Sequence, residues 1–215
     1  ELLARHENYV LLQVDIRLTH AGSPHAQAVA DGQLDEAIDG LCFGLQQLGR
    51  PVFLRLAPEA NSPWNDYDPE AYRGAWQRVV QTLRDRWQLR NIALVWSVAA
   101  DGYADYMTFY PGDAYVDWWS IDIYTPAELR QRTTRAFIAS AAERSYPVLL
   151  EAATPMSKTP KSGDELWRLW FTPLFDLLRQ QRNIKALTYR DWADFSRLGD
   201  GVAVERFRLE LSDPI

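Results

Sequence analysis

The chain has 215 residues, 23 of them basic and 29 acidic, for a formal net charge of −6, and 47% of it is apolar. That apolar share supplies one sizeable core, and the basic residues are scattered where a nucleic-acid surface would need a stripe. No run approaches the roughly 18 apolar residues of a membrane-spanning helix.

The single cysteine, Cys42, has no partner for an internal disulfide. It falls on the apolar side of a predicted helix and reads as a buried structural thiol, because a reactive one needs an activating, partly exposed setting. His6, His20 and His25 lack metal-ligand spacing, so neither a metal site nor a cofactor is read. Nine tryptophans and ten tyrosines are the unusual feature. Most suit a core, but several stand in turns after strands. The chain opens at Glu1 with no signal-type segment, which fits a mature product, a trimmed one or a fragment.

In chain order, apolar runs predict strands at residues 9–16, 51–57, 91–97, 115–124, 147–151 and 184–190. Each is apolar nearly throughout, as expected of strands covered on both faces. Between them lie amphipathic helices. The first aligns Leu34, Ile38, Leu41, Cys42, Leu45 and Leu48; the second aligns Tyr72, Trp76, Val79, Val80, Leu83 and Trp87. Asp68-Pro69 marks the start of the second. Thr125-Pro126-Ala127-Glu128 and Ser162-Gly163-Asp164-Glu165 read as capping boxes, and Thr172-Pro173 is expected to break or restart the last helix.

Strand–helix alternation implies parallel strands with right-handed crossovers. An open doubly wound sheet would want a glycine-rich phosphate turn after an early strand, and the loop LTHAGSPH lacks that spacing. A (β/α)8 TIM-type barrel wants functional residues at the carboxyl ends of several strands, and the sequence offers them. Glu59 follows the second strand, with Asn61 and Trp64 beyond it. Trp96-Ser97 ends the third, Asp122-Ile123-Tyr124 the fourth and Glu151 the fifth, while Asp191 and Trp192 follow the sixth. A regular strand through 53–59 would put Arg55 beneath Glu59 on the inward side. Taken singly, a strand-end glutamate is often a helix cap, an inward arginine half of a structural ion pair, and a tryptophan part of the core. Two carboxylates ending two apolar strands cost several kcal/mol unless paired or used. Together with indoles they suit glycoside hydrolysis, in which one carboxylic acid protonates the leaving oxygen and the other attacks or activates water.

The segments GQLDEAIDG, RPVFLRLAPEANSPW, YPGDAYVDWWSIDIY, YPVLLEA and TYRDWAD resemble clan A glycoside hydrolases, most closely the family 26 β-mannanase and lichenase group, over about residues 9–195. The resemblance implies Glu59 as acid/base and Glu151 as nucleophile, with Tyr124 orienting the nucleophile and Arg55 bracing the site. Asn61, Trp64, Trp96 and Trp192 would contact sugar. It further implies a β-linked polysaccharide or oligosaccharide partner of mannan type or a related β-glycan, retention of configuration with carboxyl groups ~5–5.5 Å apart, and an extracellular or periplasmic location. Repulsion between the two carboxyls would keep Glu59 protonated as the acid. Two departures stand out. Pro58 occupies the place of the family's histidine before the acid/base, and only six of eight strands are legible, the first two being absent. Residues 1–215 read as one barrel domain. The alternative reading is a non-catalytic carbohydrate-binding protein on a degenerate barrel.

Overall fold

The structure, a computed structural model, describes residues 11–20, 23–102, 105–151, 163–190 and 201–212. The chain divides into two compact units, one of Glu1–Val98 with Gly102–Trp118 and one of Ala99–Asp101 with Trp119–Ile215.

In the first unit, β1 (Leu12–Ile16) is followed by the short antiparallel pair β2 (Thr19–His20) and β3 (Ser23–Pro24), then α1 (Ala26–Ala30), α2 (Asp35–Leu48), β4 (Val52–Leu56), α3 (Pro69–Gln81) and β5 (Ile92–Ala99). Strand β4 lies between β1 and β5, parallel to both. Its alternation sorts the side chains: Leu54 and Leu56 are fully buried on one face, and Arg55 faces the other in register with Asp15 of β1 and Val95 of β5. Helix α2 buries Ile38, Cys42 and Leu45, but Leu34 and Leu48 are exposed, so its apolar stripe is narrower than expected. Burial, seconded by the nearby Asp39 carboxylate, pushes the Cys42 thiol up to about 11. The thiol is therefore neutral at ordinary pH, as a structural one should be.

Helix α3 begins as Asp68-Pro69 predicts: the Asp68 side chain accepts from the Ala71 N–H at 2.9 Å, with the proline in the first turn. It buries Tyr72, Trp76, Val79 and Val80, and its polar side chains pin the segment 105–117. Gln77 donates to the Pro111 carbonyl at 2.9 Å and Trp76 to the Tyr115 carbonyl at 3.0 Å. Beyond α3, Arg84 of the π-helical turn Thr82–Arg86 reaches Asp117 Oδ1 at 2.7 Å, while Asp117 Oδ2 accepts from the Leu94 N–H at 2.8 Å. Within YPGDAYVD, the Tyr110 hydroxyl donates to Asp113 at 2.7 Å across a turn that needs glycine, since Gly112 has φ +106°. The motif is thus a brace between α3 and β5.

In the second unit, β6 (Trp118–Asp122), α4 (Arg132–Glu143), β7 (Val148–Glu151), α5 (Gly163–Leu166), α6 (Thr172–Gln180), β8 (Ile184–Leu187) and α7 (Gly201–Ser212) follow in order. Strand β7 lies between β6 and β8, parallel to both. Trp119 is buried against Phe137 of α4 at 5.1 Å and Tyr146 at 5.7 Å. The expected break at Thr172-Pro173 takes a milder form, because a π-helical turn at Trp167–Phe171 links α5 to α6. Widening the spiral ahead of the proline is one way to absorb its missing N–H. The 125–128 box closes, but on a turn and not on α4, whose N-cap is Gln131. Ser162, of the second box, lies outside the described residues.

All six predicted parallel strands form, alternating with helices, as a partial (β/α)8 barrel. The strand expected at 115–124 is shorter: residues 113–115 make a 3-10 turn, and Ile123 and Tyr124 lie past its end. Among the described residues, no helix is long and apolar enough to cross a membrane.

Candidate active site

Arg55, Glu59, Asn61, Trp64 and Trp96 belong to the first unit, and Tyr124 and Glu151 to the second. Trp192 lies outside the described residues.

In the first unit, β4 stops at Leu56, and Glu59 stands beyond it in a tight turn. Ala57 has φ +46° and Glu59 φ +56°, a left-handed backbone that costs a non-glycine residue roughly 1–2 kcal/mol. The simple alternation that carries 53, 55, 57 and 59 to one side therefore ends with the strand. Several bonds hold the turn. The Ala57 N–H donates to the Ile16 carbonyl at 2.6 Å, the Ala60 N–H to the Ser97 carbonyl at 3.1 Å and the Ser62 N–H to the Glu59 carbonyl at 2.9 Å. The Asn65 amide donates to the carbonyls of Pro58 and Glu59 at 3.1 and 2.9 Å. The Tyr72 hydroxyl lies 3.4 Å from the carbonyls of Leu56 and Ala57, and burial keeps that phenol well above its ordinary range, so it remains a donor.

Arg55 is 1% exposed. Its Nη1 donates to Asp15 Oδ2 at 3.2 Å and its Nη2 to Ser97 Oγ at 2.7 Å, which satisfies a buried charge by an ion pair and a hydroxyl. The Trp64 indole donates to Glu59 Oε2 at 3.1 Å and is 57% exposed, leaving a broad apolar face open beside the carboxylate. Asn61 is buried instead of displayed. Its amide packs so closely on Gly102 that an added Cβ there would fall 1.7 Å from Asn61 Nδ2, so this contact demands glycine. Trp96 corrects the sequence reading. It follows the opposite face of β5 from Ser97 and is fully buried, with ring centroids 4.8 Å from Tyr110 and 6.2 Å from Tyr106. Alternation along the strand sends the serine toward Arg55 and the indole beneath the 105–117 brace.

In the second unit, Glu151 is the last residue of β7, 1% exposed, and in register with Asp122 of β6. Its carbonyl accepts from the Ile123 N–H at 3.4 Å. The Tyr124 hydroxyl donates to Asp122 Oδ2 at 3.3 Å, and Asp122 is the in-register neighbour of Glu151. Tyr124 is itself held by Glu128, whose Oε2 accepts from the Tyr124 N–H at 2.7 Å and whose Oε1 accepts from the Thr125 hydroxyl at 2.7 Å. Sequence reasoning missed Asp15, Ser97, Asn65 and Glu128 as parts of this machinery. Ser97, two residues beyond the in-register partner of Arg55, carried a signal in the strand period, and Glu128 carried one in the Thr125–Glu128 box.

Strand-end glutamates on parallel strands, one beside an exposed indole, place the chain among (β/α)8-barrel proteins with acid groups at the carboxyl ends of their strands. Residues 11–144 match Glycosyl hydrolase family 26, and the chain belongs to that family. It is 28% identical over 189 residues to a beta-1,3-xylanase of a Vibrio species, an alignment covering 77% of this chain and 41% of the relative. The structure is similar to a modular endo-beta-1,4-mannanase from Cellulomonas fimi, with a TM-score of 0.67, 20% identity and coverage of 90% of this chain and 50% of that one. It is also similar to a family 26 beta-mannanase from Bacteroides ovatus, with a TM-score of 0.69, 19% identity and coverage of 88% and 61%. The chain thus spans about two fifths of that xylanase and half to three fifths of the two mannanases.

Proposed function

We propose that this chain carries the machinery of a retaining β-glycan hydrolase, with Glu59 as acid/base and Glu151 as nucleophile. The observation that carries the reading is the Glu59–Trp64 pair: a carboxylate in the turn just past an apolar strand, hydrogen-bonded to an indole whose ring stays open to solvent. An exposed aromatic face offers a surface for a sugar ring, and the neighbouring carboxyl is the group that can donate to a glycosidic oxygen. Family membership supports the assignment.

In the proposed reaction, Glu151 attacks the anomeric carbon and forms a glycosyl ester as the bond to the leaving oxygen breaks. The Glu59 proton passes to that oxygen. Water then gives a proton back to Glu59 and attacks the same carbon, releasing Glu151 as a carboxylate with configuration retained. Arg55 braces the Glu59 turn, and Tyr124 with Asp122 stands beside the nucleophile strand. Residues 1–215 act as one catalytic barrel domain in this reading, with a polysaccharide substrate encountered outside the cell or in the periplasm. The names of the relatives suggest β-1,3-xylan and β-1,4-mannan as the substrates to try first.

The test is the release of reducing ends from β-1,3-xylan, β-1,4-mannan and mixed-linkage β-glucan by the wild type and by Glu151→Gln. Cleavage by the wild type that falls about 10⁴-fold or more in the variant is expected, the scale of losing a covalent nucleophile. A variant as active as the wild type refutes the nucleophile assignment. A wild type that binds these glycans and cleaves none refutes the hydrolase in favour of a binding module.

A further inference from the structure

One of the residues bonded to the Glu59 turn comes from a neighbouring strand. We infer that Ser97, at the carboxyl end of β5, is a positioning residue for the Glu59 carboxyl; the inference rests on the acid/base role proposed above. Ser97 is fully buried and meets the Glu59 turn at two points: its Oγ accepts from the Glu59 N–H at 3.4 Å and its carbonyl from the Ala60 N–H at 3.1 Å. The same Oγ accepts from Arg55 Nη2 at 2.7 Å, and Arg55 is in turn paired with Asp15 at 3.2 Å. A hydroxyl has two acceptor sites, and here both are used by named donors.

The turn needs this support. Ala57 and Glu59 both sit in the left-handed region, and a strained backbone persists only where its surroundings over-determine it. Asn65 and Tyr72 hold the turn through its carbonyls, whereas Ser97 takes the N–H groups of Glu59 and its successor. Ser97 is also well anchored, because the preceding Trp96 is buried against Tyr110 on the opposite face of β5. The arrangement runs Asp15–Arg55–Ser97–Glu59 and joins three adjacent parallel strands to the backbone N–H that carries the Glu59 carboxyl. An acid that must meet a leaving oxygen within hydrogen-bond reach loses rate when its backbone is free to settle elsewhere.

The experiment compares wild type, Ser97→Ala and Ser97→Thr on two substrates: β-1,3-xylan or β-1,4-mannan, whichever the wild type cleaves, and the 2,4-dinitrophenyl β-glycoside of the disaccharide unit of that polysaccharide. A dinitrophenolate leaves without a proton, so bond cleavage in the second substrate does not need Glu59 as acid. The expected result is a roughly 10-fold fall in kcat on the polysaccharide for Ser97→Ala with KM nearly unchanged, the scale of one misplaced hydrogen-bonded group. The burst of dinitrophenolate on the aryl glycoside should be unaltered, and Ser97→Thr, which keeps the oxygen, should recover most of the polysaccharide rate. Equal losses on both substrates would show a merely structural role and overturn the inference, as would a Ser97→Ala variant matching the wild type on polysaccharide. A wild type that cleaves neither substrate fails the hydrolase reading itself and removes the inference with it; the preceding outcomes fail the inference alone.

Discussion

The two glutamates are presented in opposite ways. Glu151 is the last residue of a regular strand, buried to 1% exposure, and held in register with Asp122 by the parallel ladder of β6 and β7. Glu59 is outside its strand, in a turn with two left-handed residues, and held by Ser97, Asn65 and Tyr72. A ladder fixes a side chain through backbone bonds that any sequence can make, and it aims that side chain by alternation alone. A turn of this kind depends on particular side chains, and in exchange it frees the carboxyl from the strand direction and sets it beside the exposed Trp64. The proposed roles agree with this division. A nucleophile needs one rigid approach, whereas an acid/base must meet a leaving oxygen and later a water.

Three substitutions would sharpen or break that contrast. The largest effect is expected from Arg55→Met, which leaves Asp15 without its partner and removes the donor to Ser97. Asp15 is partly exposed, so the pair itself contributes little. Most of an expected cost of about 3 kcal/mol comes from the lost charge-assisted bond to the buried Ser97 hydroxyl and from the packing of Arg55, to be read in urea unfolding. Amide exchange should quicken across 57–61 and stay unchanged in β7; equal quickening in both would erase the distinction. Next is Gly102→Ala, whose methyl would fall 1.7 Å from the Asn61 amide. Displacing Asn61 is expected to cost about 1–3 kcal/mol, as overpacking does, and a thermal midpoint equal to wild type would show that the turn yields freely. The smallest effect on stability belongs to Trp64→Phe, within about 0.5 kcal/mol for an exposed position. Its loss of the donor to Glu59 should lower the polysaccharide rate about five-fold, one hydrogen bond of roughly 1 kcal/mol. An unchanged rate would mean that the indole N–H plays no part in holding the acid.

Much of the fold is legible in the order of residues. Six apolar runs form six parallel strands, Asp68-Pro69 opens α3, and Tyr72, Trp76, Val79 and Val80 make its buried face. These features are local. Strand and helix periods, proline geometry and side-chain capping act within a few residues, so the succession of residue types suffices. The carboxylates at strand ends are legible for the same reason, since a charge closing an apolar run is anomalous on its face.

Four things were decided only in three dimensions. Trp96 and Ser97 are adjacent in sequence and both buried, yet one packs beneath Tyr110 and the other holds the acid turn. Asn61 and Asn65 flank the same tryptophan, and only Asn65 spans back to the Pro58 and Glu59 carbonyls, while Asn61 is pressed on Gly102. The Thr125–Glu128 box closed on a turn because Glu128 also binds the Tyr124 N–H. Asp15 became the counter-charge of Arg55 from 40 residues away. The sequence alone determined where the apolar runs lie and at what period they recur. Which neighbour each buried polar group meets depends on strand register and on the turns that follow the strands, and those are fixed by packing between segments far apart in the chain.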